Sequence, residues 1–65
     1  MKAMSEVLKY INIILDKAMN EIPVDSIKIK DGERESFKHA LQDLICNGMV
    51  VYTQLNPVIK IKRIA

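Results

Sequence analysis

One cysteine, one histidine and no tryptophan occur in this chain of 65 residues. Cys46 has no second cysteine to pair with, and together with His39 it is too little to assemble a zinc ligand set. An unpaired cysteine suits a reducing compartment, so the cytoplasm is the expected location. Two glycines and two prolines leave little room for long loops. No apolar run approaches the ~20 residues that a membrane-spanning helix requires. Glu6, Lys9 and Asp16 interrupt any N-terminal apolar stretch, so no secretory signal is read there. The last absence is the most informative: from Leu44 to Ala65 there is no Asp or Glu.

What is present is the composition of a globular protein, with 49% hydrophobic and 28% charged residues. The length allows one domain, residues 1–65. A chain this short buries only about 60% of the surface its unfolded form exposes, so its stability calls for support. With disulfide and metal excluded, the remaining support is assembly, and a homodimer is expected. The net charge is +2, and all of the excess lies after residue 32, with Lys60, Lys62 and Arg63 as the only charges of the acid-free tail.

Apolar periodicity predicts a first helix over residues 5–21. Val7, Leu8, Ile11, Ile14, Leu15, Ala18 and Ile22 fall on one stripe, Ser5 is placed to cap it and Pro23 to stop it. Met4, Tyr10 and Ile13 widen the apolar arc. They either pack on the domain's own core or form a seam with a second copy or another protein. Residues 25–30 read as a strand, with Ile27 and Ile29 on one face and Lys28 and Lys30 on the other. A second helix over 33–46 carries Phe37, Ala40, Leu41, Leu44 and Ile45 at i, i+3, i+4, i+7 and i+8. Asn47-Gly48 ends it, with Gly48 able to adopt the left-handed conformation. Hairpin strands at 49–53 and 58–64 flank the turn Gln54-Leu55-Asn56-Pro57. The expected fold is therefore α+β, in the order α-β-α-β-β. Two helices cover one face of a small three-stranded antiparallel sheet, with Ile27, Ile29, Ile59 and Ile61 turned inward and Lys28, Lys30, Lys60 and Lys62 outward.

No catalytic constellation emerges. His39 and Cys46, seven residues apart on one helix, are separated by ~10 Å, too far for a proton transfer between them. No phosphate-binding loop, paired-carboxylate pattern or metal motif is present, and a chain of this size lacks the volume for a deep pocket. No enzyme, cofactor, metal or small-molecule substrate is expected. Two basic sets remain. Arg34, Lys38 and Gln42, at i, i+4 and i+8, run along one edge of the second helix and carry the donors that read guanine and adenine edges. Lys60, Lys62 and Arg63 supply phosphate contacts. Alternating Ile and Lys is also what any half-exposed strand looks like, and edge lysines guard against aggregation.

The stretch from Phe37 to Ile64, above all Ala40-Leu41-Gln42-Asp43-Leu44-Ile45-Cys46-Asn47-Gly48-Met49-Val50-Val51, resembles the last helix and wing of a winged helix-turn-helix domain. The resemblance covers about half the chain. It implies groove contacts from Arg34, Lys38, His39 and Gln42, and backbone contacts from Gln54, Asn56, Lys60 and Lys62. Members of that family carry a separate helix before the recognition helix, where Pro23 to Lys30 reads as extended here unless it holds a short helical turn. Duplex DNA is thus the expected partner. The alternative is a protein-interaction module, an adaptor or inhibitor that docks through the apolar face of the first helix or through a strand edge.

Overall fold

The computed structural model describes the backbone of residues 2–64 and the side chains of residues 6–64. Helix α1 (Lys2–Lys17) is followed by strand β1 (Ile22–Pro23), helix α2 (Arg34–Cys46), strand β2 (Val50–Gln54) and strand β3 (Lys60–Arg63). Single 3-10 turns lie at Val24–Ser26 and Asp31–Glu33. The three strands form one antiparallel sheet in the order β1-β3-β2. The helices pack on each other and bury one face of the sheet.

Helix α1 begins before Ser5, so Ser5 lies inside the helix rather than at its N-cap. It ends at Lys17, ahead of the expected 21. Pro23 disfavours helical geometry at Ile22, and β3 supplies a competing set of partners. Arg63 donates its N–H to the Ala18 carbonyl, and Ile22 pairs with Ile61. The buried stripe of α1 centres on Ile14, with Tyr10 and Ala18 one turn to either side. At 100° per residue, Tyr10 and Ala18 lie about 40° from Ile14, whereas Leu8 lies about 120° away. Leu8, expected in the core, is accordingly 55% exposed.

Tyr10 is likewise a correction. Counted with the arc available to a partner, it is 2% exposed and meets the Phe37 ring edge-on, with centroids 5.8 Å apart and planes at 89°. Such a contact is worth about 0.5–1.5 kcal/mol beyond the area it buries. Helix α2 keeps the stripe read from its spacing: Phe37, Ala40, Leu41 and Leu44 are all buried. It stops as expected at Gly48, with φ at +71°. The Asn47 side chain closes the last turn by donating to the Asp43 carbonyl at 2.8 Å.

The expected strand over 25–30 does not form. The ladder of β1 covers only Ile22↔Ile61 and Pro23↔Lys60, followed by one further bond from Val24 N–H to the Ile59 carbonyl, 2.7 Å. The chain then turns. Ser26 Oγ donates to the Pro23 carbonyl at 2.7 Å and Ile27 N–H to the Val24 carbonyl at 3.0 Å. Local bonds of this kind offer the backbone an alternative to a sheet ladder. Residues 27–30 continue unladdered, extended at Ile27 and Lys30, with Ile27 buried and Ile29 half-buried. Their apolar-polar alternation is thus kept while the strand is not. On β3 the inward position is Ile61, fully buried, and Ile59 is 44% exposed instead of inward. Ile59 precedes β3, beyond the three-strand pairing at Ile61 and on the far side of the register shift between Tyr52 and Gln54.

Candidate nucleic-acid interface

Helix α2 presents Arg34, Lys38, His39 and Gln42 to solvent, all exposed. Its inner stripe forces this, because residues four apart share an edge and the buried positions use the opposite side. Glu35 and Asp43 share the outer side, and Glu35 lies 3.7 Å from His39 Nε2. Glu33, just before α2, turns inward toward α1, and Glu6 of α1 reaches across to the start of α2. Glu33 Oε1 accepts from the Tyr10 hydroxyl at 3.3 Å and pairs with Lys9 Nζ at 3.5 Å. Glu6 Oε1 accepts from Ser36 Oγ at 3.0 Å. Lys9 Nζ also sits 5.4 Å from the centre of the Tyr10 ring.

Because residues 24–30 leave the sheet, Lys28 is not on the outer sheet face. It lines an open groove of about 730 Å³ whose walls include Ile29, Phe37, Arg34 and Lys38, with Asp25 and Glu35 also on its lining. Lys28 and Lys30 also line a smaller groove against Lys9, Tyr10 and Ile13 on α1. The fold therefore gathers Lys28, Arg34 and Lys38 on one groove, whereas apolar-polar alternation alone places Lys28 on the layer opposite the helices. The signal for this was the Pro23–Ser26 spacing, a turn motif overshadowed by the alternation that follows it.

The basic tail divides. Lys60 and Lys62 point to the outer sheet face, opposite the helices. Arg63 pairs with the buried Val50 and shares the helix side with Ile61. Its Nε is buried without a hydrogen-bond partner among the described residues, so Arg63 does not extend the outer row. At the hairpin tip Leu55 is 59% exposed. Gln54 Nε2 donates to the Asn56 carbonyl at 2.8 Å, which ties two of the expected backbone contacts to each other. Cys46 and His39 are both exposed. Ile13 is half-buried against the core, and the Met4 side chain lies outside the described residues.

Among the described residues no helix is long and apolar enough to cross a membrane. Compared with known protein families, curated proteins and solved structures, the chain matches none. The architecture, two helices and a three-stranded antiparallel sheet with the hairpin after α2, is compatible with a winged-helix-like arrangement.

Proposed function

We propose that this chain is a small, non-enzymatic DNA-binding protein of winged-helix-like build, acting in transcription regulation. In this reading α2 addresses the major groove and the β2–β3 hairpin the backbone. The observation that carries it is the basic cluster of Lys28, Arg34 and Lys38 beside the exposed Gln42, on the helix that leads into the hairpin. The 3-10 turn at Val24–Ser26 stands where the resemblance calls for a helix before the recognition helix. Arg34, Lys38 and Gln42 contact base edges or phosphates, and Lys28 contacts phosphates, while Lys60 and Lys62, on the opposite face of the sheet, stay outside this surface. His39 is held to the helix surface beside Glu35 and contributes at the groove wall.

The test is fluorescence anisotropy with random-sequence duplex DNA at low and high salt. Binding should be measurable at about 50 mM salt and fall steeply by about 200 mM, because counterion release dominates non-specific affinity. Replacing both Arg34 and Lys38 by Ala should weaken binding and reduce the salt slope by about two. Absence of any binding at low salt would sink the proposal, since the phosphate term does not need the right sequence.

A further inference from the structure

Residues 24–29 run beside the start of α2, and the open groove of about 730 Å³ lies between them. That volume falls within the ~300–1,000 Å³ of sites that hold small organic molecules. It is a space between elements, so it does not draw on the interior that a chain of this size lacks. Two kinds of surface meet in it. Val24 and Ile29 are half-buried and keep part of their apolar surface open to the groove, backed by the buried Ile27 and Phe37. Lys28, Arg34 and Lys38 stand around this apolar seat, all three exposed. None of them forms an ion pair with an acid among the described residues.

The two acids on the lining leave those cations in excess. At about 100° per residue, Arg34 and Lys38 lie about 60° and 100° from Phe37 around α2, and Glu35 about 160°. Glu35 is therefore on the outer lip, and its Oε2 lies 3.7 Å from His39 Nε2. Asp25 is exposed on the opposite wall, in the 3-10 turn at Val24–Ser26.

We propose that this groove binds an amphiphilic organic anion, a small molecule with a carboxylate-like head and an alkyl or aryl body. The body covers Val24 and Ile29, and the head lies among Lys28, Arg34 and Lys38. Charge complementarity and the apolar seat together select this occupant. A duplex phosphate matches the cations and leaves the seat bare. A neutral apolar molecule fills the seat and leaves the cations without a partner. The site is a binding site and implies no reaction, and it stands whether or not the chain binds DNA.

The probe is octanoate, kept below its micelle concentration and followed through the amide chemical shifts of the intact chain. It should shift the amides of residues 24–29 and 34–38 and saturate with a dissociation constant of about 1 mM or tighter. Acetate, which has the head without the body, should bind roughly tenfold more weakly or worse. Octylammonium, the same body with its charge reversed, should also bind roughly tenfold more weakly. Ile29→Ser removes apolar surface and no charge, and should weaken octanoate by roughly fivefold or more. Arg34→Gln with Lys38→Gln removes charge and keeps the seat, and should weaken it by roughly threefold or more while narrowing the gap to octylammonium. Far-UV circular dichroism should be unchanged in both variants.

No saturable shift up to about 10 mM octanoate overturns the proposal. So do shifts centred on the exposed apolar residues of the hairpin, equal binding of octanoate and octylammonium, or an affinity that ignores both variants. Should Ile29→Ser fail to fold, the shift map of the unaltered chain and the octylammonium comparison decide.

Discussion

The helix pair and the sheet bury their side chains very differently. Of the ten buried apolar residues among those described, seven lie on or directly after α1 and α2, and the sheet supplies only Val50 and Ile61. The helices interlock through Tyr10 and Phe37, and Glu33 and Glu6 fasten the polar ends of the same interface. The sheet rests on this layer and leaves Val51, Tyr52, Leu55 and Ile59 in solvent. Burial is thus concentrated in the helix layer, and the exposed side chains lie in the hairpin and on the outer side of α2.

Phe37→Ala should have the largest effect. Removing the ring leaves a cavity between α1 and α2 and should cost about 3–5 kcal/mol. That is comparable to the whole stability of a chain this size, roughly 3–10 kcal/mol, so thermal and urea unfolding should show a largely unfolded protein. A cooperative, near-native transition would mean that the helix pair is not the stabilising layer. The sheet offers a sharper contrast within one segment. Ile61→Ala should cost about 2–5 kcal/mol and Ile59→Ala less than about 1 kcal/mol, although the two residues share the same alternating pattern. Equal losses in urea titrations would show that the hairpin packs further along its length than its exposure indicates. An effect between those of Ile61 and Ile59 belongs to the joint between the layers. Gly48→Ala forces a side chain into the left-handed region at φ +71° and should cost roughly 1–2 kcal/mol. Little change in the unfolding midpoint would mean that the α2–β2 link can relax.

Helix α2 and its Gly48 stop were legible from spacing alone, because a stripe at i, i+3, i+4, i+7 and i+8 has one way to face a core. The hairpin was legible for a similar reason, through β-branched runs on either side of an Asn-Pro turn. Residues 24–30 were not. Alternation there reports which side chains face inward and carries no information on whether a neighbouring strand is within hydrogen-bonding reach. Tyr10 was misplaced because the arc of a helix can be read from its sequence while the width of its partner cannot. Phe37 extends that partner surface to the tyrosine. Of the basic residues, Arg34, Lys38 and Gln42 were placed by helix geometry, whereas the arrival of Lys28 beside them depended on the turn at Pro23–Ser26.

By itself, then, the sequence determined the α+β class, the buried stripe of α2, the left-handed link at Gly48 and the hairpin that follows. All of these depend on interactions between residues a few positions apart. Tertiary structure alone decided where β1 ends, that Arg63 turns toward the helices while Lys60 and Lys62 turn away, and that β3 takes the centre of the sheet with β2 at its edge. Those outcomes depend on which distant backbone groups come within hydrogen-bonding distance, and local periodicity does not encode that distance.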